Sequence, residues 1–133
     1  MVSKLMEVLF LREFVSRLEQ SPAFKASSVT INMVNPGLCR TELMRDIPVL
    51  LQIVGWVFMR ILARSGEVGS RTLVLAASAP ASTHGKFMSN GEIEKVEPWI
   101  YTDMGKKVQK KVYEETMAIL RTRKAGLGND LGV

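Results

Sequence analysis

The sequence predicts an α/β fold, and three observations carry the prediction. Apolar residues recur at helical spacing from Lys4 to about Gln20, a β-branched and apolar run follows at Val29 to Val34, and helical patterns separate that run from a second short strand at Gly85 to Ser89. A strand this apolar, lying between helices, fits a parallel sheet covered on both faces. The order helix, strand, helix, helix, strand, helix sets two parallel strands side by side, joined by a right-handed helical crossover. Two such strands bury their faces poorly, so the pattern reads as part of a larger sheet.

Each element has its own signal. In the first helix Leu5, Val8, Leu9, Phe10, Leu11, Phe14, Val15 and Leu18 form a wide apolar face, with Glu7, Arg12, Glu13 and Arg17 opposite, and Ser21-Pro22 stops it. The strand runs into Asn35-Pro36-Gly37, and a loop with a short turn near Thr41 to Asp46 leads to an apolar helix from about Val49 to Leu62. Ser65 caps the next helix, where Val68, Thr72, Leu75 and Ala76 share a face flanked by Leu73, and which ends before Pro80. Gly91 and Pro98 mark an irregular stretch behind the second strand. Thr102 or Asp103 caps the last helix, in which Met104, Val108, Val112, Thr116 and Leu120 recur every fourth residue with Ile119 beside them. Residues 124–133 read as a flexible tail: the spacing of Gly126, Gly128 and Gly132 imitates a phosphate loop, but no strand precedes it and no helix follows to aim amides at a phosphate.

Composition narrows the chemistry. A chain of 133 residues makes one modest domain, here read as a single partial one, and one Cys with one His supplies neither an intrachain disulfide nor the clustered ligands of a zinc site, so no metal is expected. Absence of a secretory pattern at Met1-Val2-Ser3-Lys4 and the single Cys point to a reducing, cytoplasmic setting. The net charge of +5 is spread along the chain and does not imply nucleic acid. Lys106, Lys107, Lys110 and Lys111 read as a solvated face, because Glu114 and Glu115 stand one turn on from the last two. The apolar stretch 47–63 contains Pro48, Gln52 and Arg60 and falls short of the ~20 apolar residues of a bilayer span, so it reads as a buried or interfacial helix. Membrane contact through Trp56, Phe58 and Met59 is the less favoured alternative. Cys39 reads as a small buried hydrophobe and His84 as a loop or strand-entry residue.

Ser3-Lys4 opening a long helix, followed by Val29 to Val34 and Asn35-Pro36-Gly37-Leu38-Cys39-Arg40-Thr41-Glu42-Leu43, resembles the C-terminal half of the short-chain dehydrogenase/reductase family. Members carry Tyr-x-x-x-Lys, often Tyr-x-x-Ser-Lys, at a helix start and a later strand ending in Pro-Gly-x-x-x-Thr. Ser65 to Arg71, Leu73 to Ala76 and His84 to Phe87 are similar to fungal and retinol-dehydrogenase-like members. The resemblance implies a C-terminal portion of a Rossmann-like, doubly wound parallel sheet, with about two strands and flanking helices present. It implies hydride exchange between NADP or NAD and a carbonyl or alcohol on a hydrophobic small molecule, such as those of fungal secondary metabolism. Lys4 would be the catalytic lysine, lowering the phenol pKa of a tyrosine one helical turn before it and bonding the nicotinamide ribose. Pro36 and Gly37 would let backbone approach the nicotinamide, Cys39 would meet its carboxamide through the main chain, and Thr41 would bond the carboxamide or a phosphate. The segment from Leu43 to Leu62 falls where the family places its substrate lid.

Departures from the family pattern are large. No tyrosine stands four residues before Lys4, and four residues after Tyr101 and Tyr113 come Gly105 and Met117. The glycine-rich phosphate turn and the substrate-orienting serine are not in these residues either. The expectation is an oxidoreductase-like chain that is truncated and inactive as given, through a mis-set gene start or gene decay. The alternative is a non-enzymatic interaction protein, a homo-oligomer formed through the 4–20 helix or the open edge of the 29–34 strand.

Overall fold

The structure is a computed structural model that describes residues 2–25, 29–39 and 49–127, with the side chains of all but residues 23, 49–54 and 57. In chain order it contains α1 (Val2–Leu18), α2 (Pro22–Lys25), β1 (Met33–Asn35), α3 (Val49–Leu62), α4 (Gly66–Ala77), β2 (Phe87–Ser89), β3 (Glu92–Glu94) and α5 (Asp103–Arg123), with helical turns at Ala81–Thr83 and Pro98–Tyr101. The class is α/β, as expected. β1 pairs parallel with β2 in the register Met33 to Phe87, Val34 to Met88 and Asn35 to Ser89, across the α3–α4 crossover.

A third strand corrects the two-strand expectation. β3 pairs antiparallel with β2, giving the order β1-β2-β3. The connecting Asn90-Gly91 has φ of 56° and 84°, both in the left-handed region that a tight hairpin needs. This hairpin signal was in the sequence, but the partner strand Glu92-Ile93-Glu94 is exposed and charged and lacks the apolar alternation that marks a strand.

β1 is also shorter than the 29–34 run. Ahead of it the main chain still touches the β2 segment, through Gly85 N–H to the Ile31 carbonyl at 2.8 Å and Met33 N–H to the Lys86 carbonyl at 3.0 Å. The Ile31 amide, however, donates to His84 Nδ1 at 3.1 Å. An imidazole nitrogen replaces a peptide carbonyl there, so the regular ladder begins only at Met33.

The core lies where α1 meets α5. Leu9, Ile100 and Tyr113 are its largest fully enclosed side chains among the described residues, and burying Leu9 or Ile100 contributes about 1.5–3 kcal/mol. Phe10 stacks on Tyr113 at 5.3 Å and on Phe14 at 6.1 Å. Glu13, expected on the wet face of α1, is buried. Its carboxylate accepts from Gln109 Nε2 at 2.9 Å and from Arg17 Nε at 2.9 Å, while Arg12 Nε donates to Gln109 Oε1 at 3.2 Å. Arg12 and Arg17 also lie over the rings of Tyr101 and Tyr113. Burial alone would raise the Glu13 pKa, but the Gln109 and Arg17 hydrogen bonds outweigh it and hold the carboxyl below its ordinary value.

This network turns α5 away from the expected stripe. Gly105, Gln109, Tyr113 and Met117 are buried, whereas Met104 and Ile119 face solvent. Spacing by four was right and the phase was wrong by one residue. Gly105 fixes the phase at the helix start: a Cβ there would lie 2.6 Å from the Ile100 carbonyl oxygen and closer still to that of Trp99. Thr102 is the N-cap, its Oγ1 accepting from Gly105 N–H at 3.2 Å, and Ser65 caps α4 through Val68 N–H at 3.2 Å.

α3 and α4 form where expected, but among the described residues several of their large apolar side chains lie open to solvent. Trp56 is 67% exposed and Ile61 75%, and Leu73, Val74 and Leu75 of α4 are more than half exposed. α4 buries Gly69, Thr72 and Ala76, and Asn32 Nδ2 ties its end to the sheet through the Ala76 carbonyl at 2.9 Å. Among the described residues, no helix is long and apolar enough to cross a membrane. Of the expected tail, 124–127 close a turn on α5 with Leu127 N–H bonded to the Lys124 carbonyl, and the rest lies outside the described residues.

Candidate functional site

Parallel pairing sends β1 and β2 out of the sheet at the same end, where open α/β sheets take their ligands. Three segments meet there: residues 36–39 after β1, the Ala63-Arg64-Ser65 link between α3 and α4, and the Asn90-Gly91 hairpin after β2. Pro36 ends the strand. Asn35 Oδ1 accepts from Gly37 N–H at 3.0 Å, an Asx turn that bends the chain sharply and leaves Gly37 at φ +76°. A side chain at Gly37 would be strained and would cover the main chain that the turn exposes.

Cys39 follows as a parallel bridge partner of Arg64, with Arg64 N–H donating to the Leu38 carbonyl at 2.9 Å. The Cys39 thiol donates to the Pro36 carbonyl at 3.4 Å and packs directly against the Cα of Gly69 in α4, where a Cβ would collide with the sulfur. The sulfur is thereby used in packing, half-buried, in keeping with a small hydrophobe. Among the described residues, nothing accepts a hydrogen bond from the Cys39 amide.

Pro36, Gly37 and Cys39 therefore share one turn, whereas Lys4 is placed otherwise. Its side chain is 81% exposed, and its Nζ pairs with Glu7 one turn along α1 at 3.1 Å. No bond joins it to the turn among the described residues. Thr41 lies outside the described residues, as do residues 43–48 of the expected lid, the remainder of which is α3. Residues 36–39 fit the floor beneath a nicotinamide: a glycine without a Cβ and a main-chain donor without an acceptor. Tyr113, the buried tyrosine, stands between α1 and α5, and its burial pushes the phenol pKa up, away from the range of a working acid.

Sequence reading missed Arg64 and Asn90. Arg64 Nη1 donates to Asn90 Oδ1 at 2.6 Å, and the guanidinium lies beside Gly37, within 3.7 Å of where a Cβ would stand. The Asn90-Gly91 pair was the available signal, since it places an amide side chain at a hairpin tip. Of the lysine stripe, Lys111 pairs with Glu115 at 3.8 Å as expected, while Glu114 pairs with Arg17 at 3.4 Å. A separate hollow of about 360 Å³, lined by Glu19, Phe24, Lys25, Val29, Thr30, Ala81 and His84, lies at the opposite end of the strands.

Comparison with known proteins bears on this geometry. The chain is 45% identical over 126 residues to the short chain dehydrogenase/reductase dmxR8 of Cryptosporiopsis, a match covering 95% of this chain and 37% of that protein. It is 30% identical over 129 residues to the short-chain dehydrogenase anuD of Penicillium roqueforti, covering 96% and 34% respectively. The short-chain dehydrogenase/reductase phmF of Phaeosphaeria nodorum is 30% identical over 124 residues, covering 93% and 35%. The chain thus spans about a third of the length of these curated relatives. No family model and no solved structure matches it. Likeness along nearly the whole chain to several fungal proteins of one kind, together with a parallel strand pair that ends in the Pro36-Gly37 turn, shows that the chain belongs to the short-chain dehydrogenase/reductase family.

Proposed function

We propose that residues 36–39 are the floor of a nicotinamide site in an NAD(P)-dependent oxidoreductase that interconverts a carbonyl and an alcohol on a hydrophobic small molecule. The observation carrying this reading is the turn at the carboxyl end of β1–β2: Gly37 at φ +76° and a Cys39 amide without an acceptor among the described residues. A bound nicotinamide supplies hydride chemistry. Gly37 gives the ring close approach, Cys39 N–H holds the carboxamide, and Thr41 contributes as the family pattern implies. Lys4 serves that reaction only beside a tyrosine, which these 133 residues do not hold one turn before it. A polypeptide of these residues alone is therefore inactive.

The test is an NADPH and NADH titration of the 15N-labelled chain with amide shifts as readout, alongside an assay for carbonyl-dependent nucleotide oxidation. Selective movement of the Gly37 and Cys39 amides without turnover is expected. Unmoved amides would remove the floor, and turnover would refute inactivity.

A second reading has its own support. Among the described residues β1 has one edge without a strand beside it, and α4 exposes Leu73, Val74 and Leu75, both suited to a non-enzymatic interaction or oligomerisation role. Light scattering across a concentration series discriminates: a well-behaved monomer throughout argues against self-association.

A further inference from the structure

Arg64 is held from three sides at the carboxyl end of β1 and β2. Its amide is fixed on the Leu38 carbonyl at 2.9 Å, its Nη1 on Asn90 Oδ1 at 2.6 Å, and its guanidinium lies against Gly37. Among the described residues no carboxylate pairs with it, in contrast to Arg17 with Glu13 and Arg71 with Glu67. A neutral amide orients a guanidinium without cancelling its charge and leaves most of its five donors available. Asn90 adopts φ 56° to do so, a left-handed conformation that asparagine accepts more readily than most residues.

We propose that Arg64 is an oxyanion-binding residue of the site at the Pro36-Gly37 turn, receiving either the pyrophosphate of the dinucleotide or an acidic oxygen of the substrate. Both are planar or tetrahedral oxyanions that a guanidinium fork matches with paired hydrogen bonds. The inference rests on the nicotinamide-floor reading for its place in catalysis, but not for its anion chemistry. Position supports it: a fixed cation with an uncompensated charge stands where β1 and β2 open to a ligand. Asn90 is a positioning residue, acting through the guanidinium it aims.

The test uses the whole 133-residue chain, 15N-labelled, with the Arg64 Nε–H resonance followed during titration with inorganic pyrophosphate and, separately, with salicylate. A saturable shift with pyrophosphate assigns the dinucleotide as source, and one with salicylate alone assigns the substrate. R64Q is expected to weaken the responding anion by about tenfold, with R64K intermediate because a point charge replaces the fork. N90G keeps the left-handed turn and removes the acceptor, so an unchanged thermal midpoint with affinity lowered about threefold is expected. K107Q, on exposed α5, should bind as the unaltered chain does. The proposal is overturned if the Arg64 resonance ignores both anions, if R64Q binds undiminished, if N90G leaves affinity unchanged, or if K107Q loses as much as R64Q. Pyrophosphate contains no nicotinamide, so a response to it with still Gly37 and Cys39 amides would fail the floor reading and keep this one.

Discussion

Between α1 and α5 the chain encloses Leu9, Tyr113 and Met117 and meets the buried Glu13 with Gln109 and Arg17, whereas along α3 and α4 it leaves Trp56, Ile61, Val74 and Leu75 to solvent. The two flanks thus divide the work. Cohesion comes from the helix pair, and the turn that carries the candidate site stands beside the open flank, held by the Arg64 bonds and the Cys39 contact with Gly69. Damage to one flank should therefore read out as lost stability, and damage to the other as lost ligand or partner contact.

The sharpest way to break that division is Leu9→Ala. Leu9 is 2% exposed between the two helices, and truncation should cost about 3 kcal/mol, seen as a lower denaturation midpoint in urea. An effect near zero would mean that cohesion resides elsewhere. The Glu13 cluster sharpens the comparison through pH. Its folded pKa is depressed, so its contribution is present above the ordinary value of 4.5 and is lost as pH falls through the lower folded value. Acid melts should show this loss, and Glu13→Gln, expected to cost about 1–2 kcal/mol at neutral pH, should flatten it. At the small end, Leu75→Ser on the open flank should change stability by less than about 0.5 kcal/mol while lowering any concentration-dependent association.

Sequence reading worked best where local chemistry decides the outcome. Ser65 and Thr102 cap their helices because a hydroxyl three residues ahead of a free amide is sufficient, and α3 spans the expected residues. Pro36-Gly37 was legible as a sharp turn after β1 because a glycine at positive φ needs no distant partner. What failed depended on contacts across the fold. The phase of α5 follows from Gly105 seated on the Trp99–Ile100 carbonyls and from polar partners on α1, while its apolar residues alone favoured the neighbouring stripe. Glu13 looked solvated because nothing in its own helix announces Gln109, which is 96 residues away. Arg64 escaped notice for the same reason: its partner is 26 residues away.

His84 carries a consequence of another kind. Because its Nδ1 accepts the Ile31 amide, that nitrogen must present a lone pair, and the hydrogen of the neutral ring is confined to Nε2, facing the Glu19 carboxylate 3.8 Å away. Its ring is therefore locked into a single tautomer. One ring nitrogen, rather than a peptide oxygen, thus closes the approach to β1, and a side chain without an acceptor at position 84 would leave the Ile31 amide open.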